Sequence, residues 1–243
     1  MPNTMTNLRS VLASTPLIAA LFCGVGWAQA PGVKRHWLAV ERGSLCVTEG
    51  AIESAPENRM AVNVPKLRAY VNRWTAQAIE ARFTYRGPSA EQVPLASGEV
   101  RRQFGLKLRA QDGCNLVYAV WRFEPESNLV VSVKSNPDEH TSAACGNRGY
   151  RNVKPRSSAP VPVLRPGDRH TLRAEMNRDE LRVFVDNNPV WDGSVGSEAL
   201  SINGPVGIRS DNVRLELDLL VKDYAGPHPM FVLACKPDAE GSE

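Results

Sequence analysis

Three stretches of this chain carry side chains able to do chemistry. Within residues 115–123, strict alternation puts Leu116, Tyr118, Val120 and Arg122 on one face and Val117, Ala119, Trp121 and Phe123 on the other. An aromatic ring stacks on the C–H face of a sugar and a guanidinium bonds its hydroxyls, so Tyr118 and Arg122 are candidate ligand-binding residues. The competing reading has Tyr118 and Trp121 simply filling a core. The second stretch pairs Ser132 and Lys134, co-facial on one strand, with the loop Asn147-Arg148-Gly149-Tyr150. An amide, a guanidinium and a phenol beside a sheet rim make a candidate binding lip, against the alternative of a structural loop whose glycines serve a tight turn. The third is the cation group Arg101, Arg102, Lys107 and Arg109. Alternation makes Lys107 and Arg109 co-facial, and Arg101-Arg102 could clasp an acidic glycan or carboxylate by bidentate bonds. Solvated strand charges are the competing reading.

The catalytic sets that can be read from sequence are incomplete. There is no Gly-x-Ser-x-Gly nucleophile motif, and His36, His140, His170 and His228 are scattered. His140 alone neighbours polar loop chemistry. No His-x-His, zincin or EF-hand pattern is present, and no Cys-x-x-Cys pair supports zinc. Asp211 and Asn212 could touch a single calcium, but two oxygen donors are too few, so neither metal nor cofactor is expected.

The elements that must position these residues read as β-strands. Ile79, Ala81, Phe83 and Tyr85 alternate with Glu80, Arg82, Thr84 and Arg86. Phe104, Leu106 and Leu108 alternate with Gln103, Gly105 and Lys107, and the same period recurs at 129–133, 181–186 and 213–219. A period of two puts one set on a core face. Turn chemistry falls between the runs, at Gly87-Pro88-Ser89, Asn136-Pro137-Asp138, Arg165-Pro166-Gly167-Asp168 and Asn187-Asn188-Pro189. Residues 64–79 suit helix or strand equally. Residues 152–169, rich in Pro and Ser, read as a loop, and residues 230–234 as a last strand. The fold class is all-β: an antiparallel β-sandwich of about ten or more strands.

The ends of the chain speak of compartment. Arg9 is the only charge in residues 1–30, an apolar stretch follows it, and Ala28-Gln29-Ala30 is a small-x-small cleavage pattern. Residues 1–30 therefore read as a signal peptide cleaved after Ala30, and residues 31–243 as one secreted or periplasmic domain. No other stretch could span a membrane. Four cysteines remain, Cys46, Cys114, Cys145 and Cys235, and an even count in an exported protein argues for two disulfides. Of three connectivities, the preferred one joins Cys114 to Cys145 as a local staple and Cys46 to Cys235 as a clasp. Ideal loop-closure entropy gives about 3–4 and about 5 kcal/mol respectively. A net charge of +3 over 243 residues, with 42% hydrophobic and 23% charged, excludes a disordered chain and disfavours a nucleic-acid binder.

Three blocks carry a resemblance. Residues 167–175 (Gly167-Asp168-Arg169-His170-Thr171-Leu172-Arg173-Ala174-Glu175) run into Leu181-Arg182-Val183-Phe184-Val185-Asp186 and Val190-Trp191-Asp192-Gly193. The others are Gly204-Pro205-Val206-Gly207-Ile208-Arg209 leading to Val213-Arg214-Leu215-Glu216-Leu217, and Gly105-Leu106-Lys107-Leu108-Arg109 leading to Asn115-Leu116-Val117-Tyr118. In this order they resemble the concanavalin A-like lectin/glucanase jelly roll, nearest its laminin-G-like and 3-keto-disaccharide hydrolase-type secreted domains. Asn187 stands where that family favours Gly, and Asn tolerates the left-handed backbone nearly as well. The resemblance implies a ligand groove on the concave sheet. Its endoglucanases place Glu-x-Asp-x-Glu on one strand; here Glu216 and Asp218 are followed by Leu220, which breaks the motif and counts against a retaining glycosidase. The leading expectation is non-catalytic carbohydrate binding. The alternatives are a sugar-acting hydrolase or lyase using Tyr118, Arg122, Lys134 and His140, and a structural envelope or adhesion module with no open cleft.

Overall fold

The computed structural model describes residues 36–72, 76–222 and Cys235. The expected signal segment at 1–30 and the expected strand at 230–234 lie outside them. The strands in chain order are β1 (Trp37–Ala39), β2 (Leu45–Glu49), β3 (Glu53–Ser54), β4 (Met60–Val62), β5 (Lys66–Val71), β6 (Ala78–Pro88), β7 (Arg102–Leu108) and β8 (Leu116–Glu124). There follow β9 (Asn128–Lys134), β10 (Tyr150–Asn152), β11 (Ser157–Ser158), β12 (Arg169–Asn177), β13 (Glu180–Val185), β14 (Asn188–Ser194), β15 (Gly207–Asp211) and β16 (Val213–Lys222). A short α-helix, α1 (Ser142–Cys145), sits between β9 and β10.

These strands form two antiparallel sheets. One has seven strands in the order β10-β9-β8-β7-β15-β5-β2. The other has nine, ordered β11-β14-β13-β12-β6-β16-β4-β3 with β1 also on β16. The period-two pattern is the cause of the stacking. Ile79, Ala81, Phe83 and Tyr85 face inward from the nine-stranded sheet. Phe104, Leu106, Val117, Ala119, Trp121 and Phe123 face them from the other. Burying each large side chain contributes roughly 1.5–3 kcal/mol. Aromatic edges lock the two layers: Phe83 lies 5.2 Å from Phe104 and Tyr85 5.1 Å from Phe123, ring centre to ring centre. The Trp121 indole N–H donates to Ser127 Oγ at 3.0 Å.

Several local expectations are resolved. Residues 64–79, open between helix and strand, contribute β5. The turn expected at Gly87-Pro88 is displaced: β6 runs through Pro88, which pairs with Val213, and the chain turns after it. A proline is tolerated there because it ends its strand. Asp186 and Asn187 link β13 to β14 with φ of 50° and 65°, the two left-handed positions a tight hairpin requires. The sulfur pairings are Cys46–Cys235 and Cys114–Cys145. Asn212, φ 57°, is the single residue between β15 in one sheet and β16 in the other, so it is where the chain crosses layers.

Candidate functional site

Strand register sets the outer face of the seven-stranded sheet in rows. Arg122 of β8 aligns with Gln103 of β7, and Gln103 with Asp211 of β15. In the next row Val120 aligns with Gly105, Gly105 with Arg209 and Arg209 with Arg68 of β5. In the third Asn152 of β10 aligns with Ser132 of β9, Ser132 with Tyr118, and Tyr118 with Lys107. The row beyond sets Tyr150 beside Lys134. Over these rows lies a cleft of about 300 Å³.

Its floor is Tyr118, Val120 and Arg122, the outward half of β8. Tyr118 is buried, packed with Leu116 and Val120 in a small cluster separate from the main core. Its ring stacks against Tyr150, with centroids 6.0 Å apart and planes 21° apart. Tyr150 is 38% exposed, so it is the accessible aromatic surface. The Arg209 guanidinium sits 4.9 Å from the centre of the Tyr118 ring. To reach it, Arg209 crosses β7 at Gly105, which offers no side chain; a Cβ there would come within 2.8 Å of Val120 Cγ2. Close cation–ring contacts of this kind hold a guanidinium in one position.

Beside the floor, on the same outer face, lies a buried ion network. Asp211 Oδ1 accepts from Arg68 Nη2 at 2.7 Å, and Oδ2 accepts from Gln103 Nε2 at 2.7 Å and Arg209 Nη2 at 3.0 Å. Burial alone would raise the Asp211 carboxyl, but Arg209, Arg68 and the Gln103 amide outweigh it, and its pKa lies far below the usual carboxylate range. The oxygens of Asp211 already face cations, and Asn212 is committed to backbone. Among the described residues no cluster of three His, Cys, Asp or Glu could hold a metal ion.

Two loops wall the cleft. Residues 95–97 with Arg101 form one wall, and Asn212 ties that segment down. Its Oδ1 accepts from Val93 N at 2.8 Å, while Nδ2 donates to the carbonyls of Val93 and Arg101 at 2.9 and 3.0 Å. Asn147, Tyr150 and Asn152 form the other wall. That loop is stapled by Cys114–Cys145 and by Asn136, whose Nδ2 donates to the carbonyls of Cys114 and Arg148, each at 3.1 Å.

The predicted residues separate accordingly. Tyr118, Arg122, Asn147 and Tyr150 line this one cleft. Lys134 lies at its edge, fully buried: its Nζ donates to Gly113 O at 2.8 Å and sits 4.9 Å from the Tyr150 ring centre. Arg148 turns away to Glu139 Oε1 and Ala144 O, at 2.5 and 2.6 Å. Arg109 departs from expectation. It leaves β7 with φ 48°, which ends the alternation, and its guanidinium donates to Ala199 O and Arg178 O instead of joining Lys107. His140 Nδ1 lies 2.9 Å from Asp112 Oδ2, also outside the cleft. Glu216 and Asp218 sit on the nine-stranded sheet, where Arg59 and Arg86 pair with them. Arg209 and Gln103 were missed as site residues. The signal was available: Ile208 faces the core, so alternation turns Arg209 outward beside Asp211.

Arg122 differs from the other two arginines of the cleft, Arg101 and Arg209, which pair with Glu99 and Asp211. No hydrogen bond ties it to the protein among the described residues, and its Nε is buried without a partner. Burial pushes its pKa below the ordinary arginine value; Arg101 and Arg209 add to that and Glu99 opposes it.

No family model and no curated protein matches this sequence. Solved structures do match in fold. A carbohydrate-binding module, CBM66 from Bacillus subtilis, aligns with a TM-score of 0.51 at 11% identity, covering 74% of this chain and 96% of its own. A galectin, LEC-6 of Caenorhabditis elegans, aligns at 0.39 with 10% identity, covering 71% and 96%. The Crh5 transglycosylase in complex with NAG aligns at 0.46 with 11% identity, covering 80% and 86%. The alignment with CBM66, together with the two antiparallel sheets, gives the fold as the concanavalin A-like jelly roll that the strand motifs resemble.

Proposed function

We propose that this chain is an exported, non-catalytic carbohydrate-binding protein that takes its ligand in the cleft on the seven-stranded sheet. The observation that carries the reading is the convergence of Tyr118, Tyr150, Arg122 and Asn147 in one open cleft. A part-exposed ring with amide and guanidinium groups around it matches the mixed apolar and polar surface of a sugar. An adhesion module without a cleft does not account for this convergence. The carbohydrate-binding module with the same fold supports the reading as an analogue.

The lining speaks for binding rather than glycoside hydrolysis. Among the described residues no Asp or Glu lines the cleft, whereas most glycosidases need two carboxyl groups flanking the bond. Two disulfides fit an oxidising compartment, in line with cleavage after Ala30 and a single domain over residues 31–243. The test is a glycan array probed with wild-type protein and with Tyr150→Ala. Binding by the wild type that Tyr150→Ala loses, with no shortening of the bound glycan, supports the proposal. An array without hits, or ligand cleavage by the purified protein, sinks it.

A further inference from the structure

Building on that binding reading, we infer that the saccharide this cleft takes is acidic, with carboxylate or sulfate oxygens docking on Arg122 between Arg101 and Arg209. The lining holds three arginines and, among the described residues, no carboxylate. The acids nearby are already engaged. Glu99 pairs with Arg101 and is itself half-exposed on the rim. Asp211 is buried beside the floor and serves both Arg68 and Arg209; Glu49 stands 3.8 Å from Arg68.

Arg122 carries the argument furthest. Its guanidinium is part-buried beside two like charges, its Nε is out of water, and no protein acceptor meets it. A donor left in that condition is destabilising until something supplies the acceptor. A neutral hydroxyl supplies a dipole, whereas an anionic oxygen pair supplies charge and the two-pronged geometry a guanidinium is shaped for. The position is prepared in advance. Asn212 ties down the loop bearing Arg101, and the Tyr118 ring and Asp211 hold Arg209. Tyr150, Asn147 and Asn152 then offer the ring surface and amides for the rest of the sugar, which a bare phosphate would not use.

Calorimetric titration of the folded, disulfide-bonded protein tests this. The probes are tri-galacturonate, its fully methyl-esterified form as the neutral match, and a neutral trisaccharide bearing one sulfate ester. The acid should bind about ten- to a hundredfold more tightly than the ester. Raising the salt from about 0.05 to 0.5 M should erase much of that gap. Arg122→Met should abolish most of the preference, and Arg86→Met, on the other sheet, should keep it. Arg101→Met gives the same readout if Arg122→Met fails to fold. Preference for the carboxylate or for the sulfated probe identifies the source of the anion, and either supports the inference. Equal binding of acid and ester, or binding of neutral array glycans alone, overturns the acidic inference while the carbohydrate reading stands. No binding of any saccharide overturns both.

Discussion

Around the nine-stranded sheet, opposite charges meet in pairs. Arg86 holds Glu216, Arg59 reaches Glu216 and Asp218, Arg82 holds Glu80, and Arg156 bridges Glu180 and Asp192. A second cleft lies there, of about 300 Å³, and its Arg59 and Asp218 bond each other, as do its His170 and Asp186. On the seven-stranded sheet the carboxylate is buried beside the cleft and the arginines line it, with Arg122 unmatched. A near-neutral total of +3 conceals this difference. Paired, solvated charges keep a face soluble and bind little; one unmatched guanidinium, Arg122, set between arginines fixed by their own partners is the arrangement that recruits a ligand.

Substitutions on the two faces should therefore differ in size. The largest effect belongs to Asp211→Asn, which leaves Arg68 and Arg209 buried without their anion and should cost about 3–5 kcal/mol in denaturant unfolding. The matching change on the other face, Glu216→Gln, should move the midpoint very little, because Arg86 and Glu216 are partly solvated. Equal effects would break the comparison. The pH dependence has a definite sign. The folded pKa of Asp211 is depressed, so its stabilisation is in place above the unfolded value of about 3.9 and is lost as pH falls toward the folded one. The gap between wild type and Asp211→Asn should begin to narrow in acid without closing, as unfolding curves at pH 7 and pH 3 would show.

Opening Cys114–Cys145 by a double serine substitution should come next, at about 3–4 kcal/mol for a separation of 31 residues. It should also weaken ligand binding, since that staple holds the loop bearing Asn147. Unaltered affinity would separate the loop from the site. A smaller loss, about 1–3 kcal/mol, is expected for Asn212→Ala, which surrenders three side-chain bonds and a left-handed residue. Hydrogen exchange should then quicken at residues 93–101 while β13 and β14 keep their protection. Uniform quickening would mean that Asn212 supports the whole sandwich rather than one wall.

Much of this contrast is written in alternation. The two faces of β8 can be assigned from sequence residue by residue, because both sets contain apolar residues only a doubly covered strand requires. The hairpin turn falls at Asp186-Asn187, one residue before the expected Asn187-Asn188-Pro189, because Asn188 and Pro189 already belong to β14; of the three pairings that counting cysteines allows, the preferred one forms. What alternation could not reveal is where it stops. Arg109 lies one residue beyond β7, and a positive φ sends it to other carbonyls. Nor could it show Arg209 crossing the gap at Gly105, since β15 and β8 are neighbours of β7 only through non-local pairing. Lys134 shares the outward face of β9 with Ser132, but the disulfide-held loop buries it.

The most direct test of a ligand face on the seven-stranded sheet is an NMR titration of labelled protein with tri-galacturonate. Shifts should concentrate on Ser97, Arg101, Gln103, Tyr118, Arg122 and Tyr150, with Arg59, Arg169 and Thr171 unmoved. Shifts centred on Arg59, Arg169 and Thr171 instead would place the ligand in the cleft of the nine-stranded sheet and contradict the assignment of the site.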